Sequence, residues 1–422
     1  MRDKQDHLSG RKKEPQDQGQ QSAEYGPGKD SDRLQDVQRK HDPLHTAKVR
    51  ERPSDLRSHL CIMRMPLIAA LLIACVGSAG QDSAKPRPHA RHLLMGYPLV
   101  FYTPETRMGF GLAGFYGFQP DTTDSLTPIS QIQPAVMYTV NRQYILTLPF
   151  QWFSRQRQHS LYGEITFNRF FYRFFGSSFA LPAVTNEQYE VEFPRIRLHY
   201  LYRLGPAWYA GARYWLEEQR ILQTEEGGLL GSGKIPGGSG GRSAGPGIVL
   251  QYDTRDHVIS TRRGTFAELS WHHQSSATGS DFDFNRFRLD ARAFIPAGRR
   301  GTMATMIMAE HIYGDPPFFS MAALGNDRRM RGYFDGYFRD KSLSLAQAEY
   351  RRGVWKNLYL AAFASAAWMG ETPKTYALPG TIWTAGAGMR WVVDPNSRVT
   401  LRLDYARGQH SDALYFTMGE AF

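Results

Sequence analysis

Three strings in this chain carry the residue types of a reaction centre. Gly237-Gly238-Ser239-Gly240-Gly241 fits the Gly-x-Ser-x-Gly pattern of a hydrolase nucleophile elbow. Gly228 through Lys234 approaches a phosphate-binding loop, but Ile235 stands where Ser or Thr must reach a magnesium ion. Both lie in one Gly-rich run, 227–241, where short matches arise from composition alone. Neither has the strand-to-helix context that the chemistry needs, so the run reads as a flexible loop. His272 and His273 are adjacent, and in a strand they face opposite sides, a poor arrangement for sharing a metal ion. No carboxylate pair or nucleophile triad stands out. The sequence therefore predicts no enzyme, no cofactor, no metal and no nucleotide.

The elements that would position any site read as strands. From about Arg91 to Phe422 the chain alternates with a period of two. In 285–295, Arg286, Arg288, Asp290 and Arg292 share one face, with Phe287, Leu289, Ala291, Ala293 and Ile295 on the other. In 195–203, Arg195, Arg197, His199 and Arg203 alternate with Ile196, Leu198, Tyr200 and Tyr202. In 398–405, Arg398, Thr400, Arg402 and Asp404 alternate with Val399, Leu401, Leu403 and Tyr405, and in 160–168 Glu164, Thr166 and Asn168 oppose Leu161, Ile165 and Phe167.

A soluble sandwich also alternates, so periodicity alone leaves two architectures open. The strands are too many for one sandwich, and their apolar faces are rich in Phe and Tyr. A closed transmembrane antiparallel β-barrel, apolar outside and charged within, accommodates both features, because lipid forbids unpaired sheet edges. Fifteen strand candidates can be counted: 107–118, 130–139, 143–153, 160–169, 189–203, 207–222, 244–252, 264–274, 283–295, 301–313, 343–352, 357–368, 383–393, 398–407 and 413–422. Single-chain bacterial barrels have even strand numbers. The expectation is sixteen, with the hidden strand in 93–103 or within 168–190.

Composition agrees. The chain has 422 residues, 41% hydrophobic and 13% aromatic, with 51 basic against 40 acidic side chains. A mean hydropathy of −0.47 is too polar for a bundle of membrane helices. The net charge of +11 alone suggests nucleic acid, but in a barrel the basic excess belongs to the lumen and needs no such partner. Residues 1–62 hold 13 Lys/Arg, 11 Asp/Glu and one aromatic, Tyr25; they read as a disordered leader or as sequence ahead of a mis-assigned start. Then Met63-Arg64-Met65-Pro66, an apolar run from Leu67 to Val76 and Gly77-Ser78-Ala79-Gly80 have the three parts of a secretory signal, cleaved after Ala79. Leu72-Ile73-Ala74-Cys75 also resembles a lipoprotein box, which would leave an acylated Cys75. Cys61 and Cys75 are the two cysteines of the chain, and both precede the plain cleavage point. Residues 80–92 then form a short periplasmic linker to a barrel of 93–422.

Three motifs are more specific. The chain ends Leu414-Tyr415-Phe416-Thr417-Met418-Gly419-Glu420-Ala421-Phe422, with Leu414, Phe416 and Met418 on one face and a terminal aromatic, Phe422. Such an ending is similar to the sorting strand of outer-membrane barrels. Gly325-Asn326-Asp327-Arg328-Arg329-Met330-Arg331-Gly332-Tyr333 lies in a long loop, about 314–342, followed by Gln347-Ala348-Glu349-Tyr350-Arg351. Tyr252-Asp253-Thr254-Arg255-Asp256 forms a turn motif ahead of Gly264. Together with Tyr102-Thr103-Pro104-Glu105-Thr106, and covering nearly all of 98–422, these resemble the bacterial surface antigen family, the BamA/TamA-type superfamily of outer-membrane assembly and two-partner-secretion barrels.

That resemblance implies an outer-membrane location and a long loop folded back into the lumen. Its arginine, here Arg331 of the Arg331-Gly332-Tyr333 triplet, would bond to a wall carboxylate, here Glu349. The family's second acidic position matches Ser365, so the latch would have one carboxylate or borrow Asp404. The family's assembly members carry periplasmic polypeptide-transport-associated domains ahead of the barrel. Fewer than thirty residues separate Ala79 from the strand at 107, too few for such a domain, so the chain resembles a barrel-only branch.

Two functions from different classes follow. One is assistance in inserting or exporting proteins through a lateral seam and a lumen gated by the Arg331 loop. Its partners would be outer-membrane lipids, unfolded protein clients and a periplasmic protein. The other is a plugged or weakly conducting barrel with a structural or surface-antigen role.

Overall fold

The computed structural model describes residues 92–119, 127, 129–176, 186–258, 260–376, 380–394, 398–409 and 411–422. The leader 1–62, the signal segment 63–79, Cys61, Cys75 and linker residues 80–91 lie outside the described residues.

Strands β1 His92–Thr103, β2 Arg107–Phe118, β3 Ser130–Ile132, β4 Ala135–Thr139, β5 Tyr144–Phe153 and β6 His159–Phe174 open the wall. It continues through β7 Glu187–Arg203, β8 Trp208–Thr224, β9 Gly241–Asp253, β10 Gly264–Gln274, β11 Phe284–Pro296 and β12 Gly301–Gly314. A long connection holds the hairpin β13 Ala322–Leu324 with β14 Phe338–Asp340, and β15 Ser342–Gly353, β16 Leu358–Gly370, β17 Ile382–Asp394, β18 Val399–Gly408 and β19 Asp412–Met418 complete the wall. Neighbouring wall strands pair antiparallel, β12 with β15 across the long connection, and β1 returns to β19. β3 and β4 occupy one wall position, so the result is a closed barrel of sixteen strands. They are separate because Pro134 has no N–H for the ladder; its carbonyl instead accepts from Gly114 N.

The alternation decides which side chains face out. Leu289, Ile295, Ile307, Leu198, Tyr200, Ile165 and Tyr405 are exposed on the outer wall. Their neighbours Asp290, Glu310, Arg390, Arg402 and Asp404 are buried inside. In water such an exterior would be an aggregation surface; in lipid it is the required one. Among the described residues no helix is long and apolar enough to cross a membrane, and the crossing is made by strands.

The missing sixteenth strand is β1, which fills the 93–103 window and begins one residue earlier, at His92. Three of the boundaries that differ from the sequence expectation have a clear physical reason. β6 and β7 extend to Phe174 and back to Glu187, past 169 and 189. There Phe170, Phe174, Tyr189, Val191 and Phe193 turn apolar side chains inward against Phe318, so the polar-in pattern fails where a loop covers the wall. The last strand ends at Met418, short of Phe422. Gly419 takes φ +88° and its N–H bonds Thr400 O at 2.7 Å, which turns residues 420–422 off the wall. The Gly-rich run 227–241 is a packed connection. Leu230 is buried, Glu187 accepts from Leu229 N and Leu230 N at 2.7 and 2.9 Å, and Phe318 N bonds Pro236 O at 2.9 Å. β9 follows the run, so neither the elbow nor the phosphate loop finds its helix.

Candidate functional site

The connection between β12 and β15 enters the lumen and seals itself there with an apolar core. Met330, Tyr333, Phe338 and Leu324 pack with Met306, Met308, Leu343 and Leu345 of the wall. Arg331 extends from this segment and is 1% exposed. Its Nη1 donates to Asp404 Oδ2 at 2.6 Å, and its Nη2 lies 2.7 Å from Glu349 Oε2 as an ion pair. The guanidinium carbon sits 3.4 Å over the Phe363 ring. A planar cation can engage two carboxylates and an aromatic face at once, which an ammonium cannot.

The wall is cut to fit. A Cβ at Gly388 would overlap Asp404 Oδ1, and one at Gly386 would overlap the Phe363 ring. A Cβ at Gly408 would enter the Tyr333 ring, whose hydroxyl accepts from Gln409 N at 2.9 Å. Gly332 has φ +112°, a conformation open to glycine. Its N–H donates to Tyr415 Oη at 3.0 Å, and that hydroxyl donates to Tyr333 O at 3.1 Å. Met330 N donates to Gln347 Oε1 at 3.1 Å, and Ser365 Oγ donates to the same oxygen at 3.1 Å. Ser365 thus supports the loop by hydrogen bonds, while the second carboxylate on Arg331 is Asp404.

Glu349 and Asp404 are shared. Arg351 Nε donates to Glu349 Oε1 at 2.6 Å, Arg390 Nη2 donates to the same oxygen at 3.1 Å, and Arg390 also bonds Asp404. Arg402 donates to Asp327 of the loop at 2.6 Å. The chain terminus joins the same network. Glu420 Oε2 accepts from Arg390 Nε at 3.1 Å and lies 3.4 Å from Arg351, whose Nη2 donates to Phe422 O at 3.1 Å. Four arginines and four carboxylates, from the loop, three strands and the tail, therefore neutralise one another where burial would make a single charge costly.

The terminus reaches inward because it leaves the seam. β1 and β19 share one register pair, Tyr102 with Phe416. By comparison β1 and β2 pair along their whole lengths. Continuing the seam register sets Met418 opposite Val100, and there β19 ends. The β1 backbone from His92 to Leu99 has no β19 residue beside it. Above the seam, Glu105 in the β1–β2 turn accepts from Asp335 N at 2.9 Å, tying the first hairpin to the lumenal loop. Burial first, and then the Asp335 charge, push the Glu105 carboxyl up to about 7.

Residues 151–422, more than half of the chain, match the Omp85 superfamily domain. The chain belongs to the Omp85 superfamily. Solved structures similar to this Omp85 barrel include BamA from Haemophilus ducreyi lacking POTRA domains 1–3, at 13% identity over 85% of this chain and 78% of that one, TM-score 0.52. CdiB from Escherichia coli is 11% identical over 81% of this chain and 66% of that one, TM-score 0.54. CdiB from Acinetobacter baumannii is 9% identical over 78% and 59%, TM-score 0.52. The chain thus spans less than two thirds of either CdiB. At such identities the likeness carries the fold alone. A comparison with curated proteins returns no match.

The remaining expected residues of this Omp85 barrel lie elsewhere. Arg255 grips Asp253 with two bonds of 2.9 Å and covers the Phe266 ring at 4.4 Å. Asp256 accepts from Arg262 N and Arg263 N and pairs with Arg398 of the β17–β18 turn at 3.0 Å. Burial raises the Asp256 pKa, but these bonds outweigh it and hold the carboxyl below its usual range. The motif braces the turns at the end that carries the termini and makes no contact with Arg331. Leu414, Phe416 and Met418 share the outer face of β19. Phe422 does not join them: it is buried in the lumenal cluster, because Gly419 diverts the chain. His272 is buried inside while His273 bonds Asn285 outside, and among the described residues no cluster of metal-ligating side chains occurs. Sequence reasoning missed Arg390 and Glu420. Arg390 was visible only as a polar residue on an inner face; nothing local marked Glu420.

Proposed function

We propose that this barrel assists the insertion or export of proteins, with the β1–β19 seam as the place where a client strand pairs and the Arg331 loop as the gate of the lumen. The observation that carries this reading is the one-pair seam. A β1 backbone left unpaired beside β19 offers hydrogen bonds to an incoming strand, and the driving force is strand pairing with burial of the client's apolar face in lipid. No nucleotide is needed. The Omp85 membership and the likeness to BamA and CdiB barrels support the same reading.

The test is a lock across the seam. Tyr102 and Phe416 are directly opposed, within disulfide reach, so Tyr102→Cys with Phe416→Cys closes the seam by oxidation. The expected result is loss of outer-membrane barrels or secreted clients under oxidation and recovery on reduction. Normal client levels in locked cells, and in cells depleted of the protein, overturn it.

A second reading, a plugged barrel with a structural or surface-antigen role, is favoured by one observation: the loop is held against the inner wall by an apolar core and a neutralised charge network. Client levels that ignore depletion and a low, Arg331-independent conductance would select it.

A further inference from the structure

At the end carrying the termini, two neighbouring turns place four cations together on the outer rim. The β11–β12 turn contributes Arg299 and Arg300, and the β15–β16 hairpin contributes Arg352 and Lys356; all four are exposed. The turns are bonded to each other, Gly353 N to Arg300 O at 2.9 Å. Among the described residues, none of these four side chains makes an ion pair or a hydrogen bond. Most other basic residues at the same end are engaged, the exposed Arg263 of the β9–β10 connection being an exception. Arg157 covers Phe153 and Tyr209, Arg203 donates to Gly205 O and Gln156 O, Arg255 grips Asp253, Arg262 donates to Tyr359 and Arg398 pairs with Asp256.

The cluster adjoins the lipid-facing wall. By alternation Arg352 is on the outer face, directly opposite Leu360, which is 47% exposed, and two residues past Tyr350. Trp355 at the hairpin tip is 71% exposed, the highest value among the described tryptophans. Val354, Trp391 and Ile295 are exposed toward the same end of the wall. An aromatic at headgroup depth, an apolar wall below and idle cations around it match an acyl chain under a phosphate.

We propose that this rim binds anionic phospholipid, of the phosphatidylglycerol kind, in the periplasm-facing leaflet, with the four cations on the headgroup phosphate and Trp355 at its glycerol. An acidic soluble partner fits less well, since Arg352 and the neighbouring apolar residues belong to the wall that lipid covers. The site is separate from the seam and lumen, so it stands whether or not the barrel handles clients.

The experiment uses the full protein in phosphatidylcholine nanodiscs doped with brominated phosphatidylglycerol or brominated phosphatidylcholine, reading tryptophan quenching. Quenching by the anionic lipid is expected at about fivefold lower mole fraction, the attraction of one such cation near an anionic surface. Trp355→Phe should remove that preference. Arg299→Gln/Arg300→Gln/Arg352→Gln/Lys356→Gln should abolish it, and the corresponding Arg→Lys variant should keep it, each with unchanged heat-dependent gel mobility as proof of folding. Equal quenching by both lipids overturns the proposal. So does a preference that survives the glutamine variant, or capture of a soluble poly-glutamate peptide with no lipid preference.

Discussion

Arg331 is expensive to bury and is buried, so its value lies in what it connects. Arg331→Ala removes the bridge between Glu349 and Asp404, but both carboxylates keep Arg390, and Glu349 also keeps Arg351. The loss should therefore sit at the lower end for a broken buried pair, about 3 kcal/mol. The expected outcome is a lower temperature for loss of the compact gel form and a higher single-channel conductance in planar bilayers. Arg331→Lys should recover little of either, because an ammonium cannot take both carboxylates and stack on Phe363. Gly408→Val offers a test that leaves every charge in place. Its side chain would occupy the space of the Tyr333 ring, so conductance should rise as in Arg331→Ala. Unchanged conductance in both variants would remove the loop from the gate.

Between elements, the contact that responds to pH is the one joining the first hairpin to the loop. The Glu105 pKa in the folded barrel stands at about 7 against an ordinary 4.5. Burial pushes the facing Asp335 up as well. The unfolded chain releases the Glu105 proton first as pH rises, so this contact loses stability between those two values and levels off above. Loop release, read by protease cleavage near Asp335, should therefore increase from pH 5 to pH 8. Glu105→Gln should flatten the profile while keeping an acceptor for Asp335 N. Asp256 acts with the opposite sign. Its carboxyl titrates below the usual range, so the tie to Arg398 holds above it and is lost only as pH falls under about 4.

At the level of the molecule, the seam and the latch share charges. The tail that leaves β1 unpaired places Glu420 on Arg351 and Arg390, the arginines that hold the carboxylates of the Arg331 latch. A chain ending at Gly419 should thus loosen the loop although Arg331 is intact. In a double-mutant cycle the truncation and Arg331→Ala should cost less together than the sum of their separate effects. Full additivity in gel-shift temperature would mean that tail and loop act independently.

Alternation along each strand was enough to say which faces meet lipid and which line the lumen, because a pleated strand leaves a side chain no other choice. It placed Gln347, Glu349 and Arg351 on one inner face, and Arg402 with Asp404 on another. It failed at β1, whose His92–Thr103 run is apolar on both faces, and at Phe170 and Phe174, where a loop replaces water inside. Which inner residues meet was not legible. Asp404 reaches Arg331 and Arg390 through the register that sets Gly388 opposite Asp404 and Arg390 opposite Arg402. Register depends on pairing between strands and on turns, not on the pattern within either strand. The end of the chain shows the same division. Residue types called for a strand running out to Phe422. The folded barrel instead diverts it at Gly419, because a cluster of arginines assembled from distant strands makes the lumen the better place for Glu420.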